Sequence, residues 1–285
     1  MKVDSEDWKI IDHWWDIHAT EKQKELVSLY ELMQELSEEW KKSNTPFDKD
    51  PLYVDWSDDS SKTGPMRKGL EENWSYWLTH LLRTAPKYFF KQLFDKNMIT
   101  TPEKVSCEVS FYGEEKIRRA DILIFFKNKG ISIEVKIDDT NYAKTPHTAY
   151  LIEKDDERDW FHYILLPRSK TPVMKRILGE NLQQKPRAKI LSKHYPDIDV
   201  IYWRDVSLAL RRTLLYDKMP DQHWMASAYM FIALIEQKIT DMYNIPFLRT
   251  NVVDDRTPTI SDLLRISSID TDEQIDYFNK VMEES

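Results

Sequence analysis

The sequence predicts an α/β protein: a mixed central sheet, made of a three-strand meander and two later strands, flanked by helices and carrying an N-terminal helical extension. Three observations lead there. Three β-rich runs follow one another with only short, hydrophilic, glycine-containing connectors between them. Further on, apolar strand-like runs alternate with helical patterns, as a sheet covered by helices requires. On both sides of the meander, apolar residues recur at helical spacing.

Taken in order, residues 21–41 place Leu26, Leu29, Tyr30, Met33, Leu36 and Trp40 on one face of an amphipathic helix. Residues 43–68 are rich in Ser, Asp, Pro and Lys without a sustained period, and read as a long loop. Helical periodicity resumes at Leu70, Trp74, Trp77, Leu78 and Leu81 and continues through Tyr88 to Leu93, with a break at Pro86. The meander follows as VSCEVSFY (105–112), IRRADILIFF (117–126) and ISIEVKI (131–137), joined by GEEK and KNKG. A helix is expected over about 146–155, a buried strand in WFHYILLP (160–167), and a basic helix over about 173–191. DVIYW (199–203) is a short strand, and Asp205 is placed to cap the helix holding Val206, Leu210 and Leu214. Residues 222–241 are apolar almost all round, the pattern of a buried helix. The implied division is a helical extension and loop (1–68), an α/β domain (69–245) and an acidic tail (246–285).

Composition narrows the function classes. The 285 residues are 41% hydrophobic and 32% charged with 5 Gly and 13 Pro, which excludes collagen-like, low-complexity and wholly disordered chains. No apolar run approaches the roughly 18 residues of a membrane helix, so no membrane partner is expected. The acidic, aromatic start lacks the apolar region of a signal peptide. One cysteine, Cys107, excludes an intramolecular disulfide framework and a cysteine-built zinc finger. A soluble, cytoplasmic protein is expected. The net charge of −8 is uneven: residues 251–285 hold 9 acids and 3 bases, whereas 168–193 hold eight bases and one acid. Arg168, Lys170, Lys175, Arg176, Lys185 and Arg187 are therefore candidate phosphate contacts for nucleic acid. A solvated helix face is the other reading of that stretch.

The chemistry concentrates on the meander. Glu134 and Lys136 are two apart on one strand and share a face. The KNKG hairpin lays the preceding strand alongside and brings Asp121 near them. Adjacent carboxylates repel, and a hard divalent cation relieves this through one or two carboxylates while keeping several waters. A structural ion-pair cluster at a sheet edge is the plain alternative.

This arrangement resembles the PD-(D/E)XK nuclease superfamily, the restriction-endonuclease-like fold. Asp121 matches its first acid and Glu134-Val135-Lys136 its (D/E)-X-K, with Ala120 where the family has proline. The run EENWSYWLTHLL (71–82) is similar to the first-helix pattern of one branch, in which a glutamate faces the site from the helix before the meander. The match falls on Glu71, with Ser75 four residues on and Leu78, Leu81 and Leu82 as the packing face; Glu72 points about 100° away. An exposed first-turn residue favoured by the helix dipole is the other reading of Glu71. The resemblance covers about residues 69–241. That branch often carries a glutamine on the helix after the E-x-K strand, ending near a tyrosine. Tyr150 matches the tyrosine, but Lys144, Thr145 and His147 stand where the glutamine is expected.

The resemblance implies a Mg²⁺- (or Mn²⁺-) dependent nuclease hydrolysing phosphodiester bonds, DNA foremost, in defence against foreign DNA or in repair. Asp121 and Glu134 would hold the metal, the carbonyl of Val135 would add a ligand, Glu71 would complete or orient the site, and Lys136 would position the attacking water. The alternative is a catalytically inactive nuclease fold that binds protein or nucleic acid, its N-terminal helices serving as the surface for a partner or a second copy.

Overall fold

The structure is a computed structural model. It describes residues 5–43, 45–54, 66–94, 101–113, 117–178, 182–183, 189–191, 194–217, 221–250 and 270–283. In chain order its helices are α1 (Ser5–Lys42), α2 (Glu71–Arg83), α3 (Lys87–Phe94), α4 (Thr145–Asp155), α5 (Thr171–Leu178), α6 (Trp203–Tyr216), α7 (Gln222–Leu234), α8 (Ile245–Leu248) and α9 (Thr271–Met282). The strands are β1 (Lys104–Tyr112), β2 (Ile117–Phe125), β3 (Lys129–Val135), β4 (Asp159–Leu166), β5 (Leu182–Gln183), β6 (Lys189–Ile190) and β7 (Ile198–Tyr202). The chain divides into two compact units, residues 56–240 and residues 1–55 with 241–285. The N-terminal extension and the C-terminal tail, separate in the sequence, thus contribute to one unit.

Unit 56–240 is a mixed sheet in the order β1-β2-β3-β4-β7-β6-β5, flanked by helices. The meander β1-β2-β3 is antiparallel, whereas β3, β4 and β7 run parallel, with α4 carrying the chain from β3 to β4. The interior strands read as near-continuous apolar runs because both their faces are covered: Ile131, Ile133, Val135, Ile164, Leu165 and Leu166 are all buried. Gly130, just after the β2–β3 turn, lies against Trp160 on β4. A Cβ at that position would sit 2.5 Å from the indole ring, so the close approach requires glycine. Helix α2 lays Trp74, Leu78, Leu81 and Leu82 into the core, and the Trp74 ring meets Trp203 of α6 and Phe231 of α7 at 5.6 and 5.8 Å.

Two expectations need correction here. The basic helix ends at Leu178; beyond it, β5 and β6 pair with each other and add antiparallel to β7. Few apolar residues fall between 180 and 190, so a helix there has no stripe to bury, while the open edge of β7 offers a ladder of unpaired backbone groups. Asp205 is the third helical residue of α6 rather than its cap. It reaches back to accept the N–H of Tyr202 at 2.9 Å, so it closes the helix start from inside. Helix α7 is buried as its composition implies and continues into a π-helical turn, Ile235–Ile239.

In the second unit, α1 begins at Ser5, well before the expected start near 21. Leu26, Leu29, Met33, Leu36 and Trp40, spaced by three and four, are buried along it. It packs against α9, whose Tyr277, Phe278 and Val281 are buried in turn. The Thr271 hydroxyl fastens the pair: it donates to Glu25 Oε2 at 2.6 Å and accepts from Lys22 Nζ at 2.9 Å. No helix among the described residues is long and apolar enough to cross a membrane.

Candidate functional site

The meander's register builds the site. The β2–β3 ladder ends at Ile122 opposite Ile133, so Asp121 and Glu134 are the next residues across from each other. Beyond that point a side chain replaces the ladder: Asp121 Oδ2 accepts the N–H of Val135 at 2.7 Å. Glu134 and Lys136 project together, with Lys136 Nζ 3.0 Å from Glu134 Oε1 and 3.0 Å from Asp139 Oδ2. The lysine is almost fully buried, and its carbonyl accepts the indole N–H of Trp203 at 3.0 Å.

Glu71, the first residue of α2, turns its carboxylate toward the segment after β3. Its Oε1 accepts the backbone N–H groups of Ile137, Asp138 and Asp139 at 2.5, 3.0 and 3.0 Å. Three amides converging on one oxygen fix the chain just past Lys136. The neighbouring Glu72 instead pairs with Arg119 Nη2 at 3.0 Å. Glu71 and Glu72 thus diverge as one helical step requires, although both line the same cleft.

A third carboxylate joins this row. In the β1–β2 register Cys107 pairs with Ile122 and Val109 with Ala120, which puts Glu108 opposite Asp121. Glu108 has φ 57°, an uncommon left-handed backbone for a non-glycine residue. Arg119 Nε pairs with Glu108 while the same guanidinium reaches Glu72. Sequence reasoning missed Glu108. Counting back through the GEEK hairpin from Asp121 is the one signal that finds it.

Burial and mutual repulsion dominate the electrostatics. Burial, followed by the Glu134 charge, pushes Asp121 up to about 7. Burial, with Asp121 opposite, pushes Glu108 up to about 7. Glu134 is raised as well, chiefly by burial and against the pull of Lys136. Burial opposes the Lys136 charge, but Glu134 and Asp139 more than offset it and hold the ammonium above its ordinary range. These groups line an open cleft of about 610 Å³.

Among the described residues, no group of three or more His, Cys, Asp or Glu side chains could hold a metal ion. A dedicated protein cage is not what Mg²⁺ needs; it usually binds through one or two carboxylates and keeps its remaining waters. Asp121 and Glu134 offer hard oxygen donors on neighbouring strands, with a repulsion that a cation relieves. Val135 sends its N–H toward Asp121, and a strand residue's N–H and C=O leave by the same edge. The donor set fits such an ion.

The other candidate residues are dispersed. Arg168 and Lys170 occupy a 3-10 turn after β4, and Lys170 Nζ lies 3.9 Å from Asp138 Oδ1 at the cleft. Lys175 and Arg176 are in the last turn of α5, while Lys185 and Arg187 lie outside the described residues. Besides Lys136, the cations among the described residues lining the acidic cleft are Arg118, Arg119 and Lys144; Arg168, Lys175 and Arg176 are not among them. Of the three residues at the glutamine position, Lys144 lines the acidic cleft and Thr145 is buried at the start of α4. His147 turns to a second, aromatic cleft, which Tyr150 also lines. No protein-family model, curated protein or solved structure matches the chain.

Proposed function

We propose that the protein is a Mg²⁺- or Mn²⁺-dependent nuclease of the PD-(D/E)XK type, built on a restriction-endonuclease-like core and hydrolysing phosphodiester bonds, DNA foremost. The observation that carries this reading is the placement of Asp121 and Glu134 on adjacent strands, both raised by burial, beside the Lys136 ammonium in an open polar cleft. Asp121, Glu134 and the Val135 carbonyl would hold the ion. Bound there, it supplies charge that balances the carboxylates, polarises a phosphoryl oxygen and acidifies a water. Lys136 keeps its proton, so its part is to orient the attacking water and face the charge that develops on phosphorus, not to act as a base. Glu71 is a positioning residue that fixes residues 137–139. Defence against foreign DNA or repair, in the cytoplasm, is the setting such chemistry fits by analogy.

The test is incubation with supercoiled, linear and single-stranded DNA, and with RNA, with and without Mg²⁺ or Mn²⁺. Metal-dependent cleavage is expected, and Asp121→Ala and Glu134→Ala should each abolish it while the variants remain folded. Cleavage retained in both variants, or no cleavage of any substrate, defeats the reading. In the latter case an inactive binding module takes its place.

A further inference from the structure

Beside the acidic cleft lies a second one of about 700 Å³ whose lining is of a different kind. Tyr112, Tyr150 and Tyr195 meet there with His147, Arg118 and Lys154. Large aromatic side chains are ordinarily buried, yet these tyrosines are 81%, 43% and 41% exposed and share one depression. His147, Tyr150 and Lys154 lie three and four residues apart on α4 and therefore share a face. The rings form a shelf: His147 lies near-parallel to Tyr150 with centroids 6.4 Å apart, and Tyr195 stands edge-on to both at 6.3 Å. Arg118 Nε donates to His147 Nδ1 at 3.2 Å, which ties the imidazole to the cleft wall.

We infer that this aromatic cleft is a docking subsite for an unpaired nucleic-acid strand. Flat, exposed rings beside cations are what a strand with free base faces and a phosphate chain can use. Stacking supplies affinity without sequence preference, and Arg118 and Lys154 answer the phosphates; among the described lining residues the acid is Asp155. A duplex hides its base faces within its own stack and gains little from such a shelf. Arg118 lines both clefts, so a strand lying on the tyrosines continues toward Asp121 and Glu134. The ligand class rests on the nuclease reading, and the test therefore measures binding apart from cleavage.

The test is fluorescence anisotropy of labelled oligothymidylate, oligouridylate and a duplex of equal length, with Ca²⁺ replacing Mg²⁺. The wild type should bind a single strand more tightly than the duplex, and the two single strands report which sugar is preferred. Tyr112→Ala and Tyr150→Ala should each weaken single-strand binding about fivefold or more and leave duplex binding unchanged. Tyr150→Phe, which keeps the ring, should bind as the wild type does. Both tyrosines are exposed, so unchanged melting temperatures should accompany these losses. Single-strand affinity unmoved by the alanine variants, absent in the wild type, or lost equally for the duplex overturns the subsite. If tyrosine-dependent binding is found without cleavage of any substrate, the nuclease reading falls and the subsite stands. If cleavage is found with unmoved affinity, the reverse holds.

Discussion

His162 sits buried on β4, its Nδ1 2.7 Å from the Ser132 hydroxyl, its Nε2 3.3 Å from Glu153 Oε1 and its ring stacked on Trp160. Burial pushes this imidazole down to about 4, against an ordinary value of 6.5. Above pH 7 it is neutral in both the folded and the unfolded chain and has no effect on the balance. Between 6.5 and 4 the unfolded chain takes up a proton that the folded one refuses, so stability falls across that window by up to about 3 kcal/mol. Denaturation at pH 7, 5.5 and 4.5 should show a shallower loss for His162→Gln than for the wild type; equal slopes would refute the assignment. The site residues were legible where spacing sufficed: Asp121, Glu134 and Lys136 follow from strand period and one short hairpin. Glu108 was overlooked, because it enters the site through the β1–β2 register and not through the spacing that joins Asp121 to Glu134 and Lys136. Arg118 and Arg119 were also missed, since the densest run of positive charge lies further along the chain.

At the scale of elements, α6 is joined to the π-helical turn after α7 by a buried ion pair. Arg211 meets both oxygens of Glu236, Nε to Oε1 at 2.6 Å and Nη2 to Oε2 at 2.7 Å, and Ser207 Oγ donates to Oε1 at 2.8 Å. Neither side chain has any exposure. The π turn carries one extra residue per hydrogen-bonded ring, which alters the helix phase where Glu236 faces inward. Glu236→Ala removes the carboxylate that meets a buried guanidinium and should cost about 3–5 kcal/mol in chemical denaturation. The double change Arg211→Met with Glu236→Leu should recover most of that loss, and a double variant as unstable as the single one would contradict this account. Periodicity identified 222–241 as a buried helix but not the partner of its glutamate, which lies 25 residues away in sequence. The same limit explains the misread basic helix, where an open sheet edge outweighed local helix propensity.

For the whole molecule, the three-strand meander and the later strand–helix alternation were legible because each covered element carries its own period. That α1 and α9 belong together was not, since two amphipathic helices at opposite ends of a chain do not name each other. Their union has a kinetic consequence. Unit 56–240 is continuous and can close as soon as its last residue is available, whereas α1 must wait for a helix at the far end of the chain. The contact between Glu25 and Thr271 spans 246 residues, and the Asp121–Val135 contact spans 14. The longer loop costs about 2–3 kcal/mol more chain entropy to close, so folding should proceed sheet first and ends last. Pulsed hydrogen exchange during refolding should protect the amides of β2, β3 and β4 before those of α1, and simultaneous protection would contradict that order. During synthesis, the apolar stripe of Leu26, Leu29, Met33 and Leu36 precedes α9 by more than two hundred residues, so it stays uncovered by that helix until the end and offers a chaperone a place to hold.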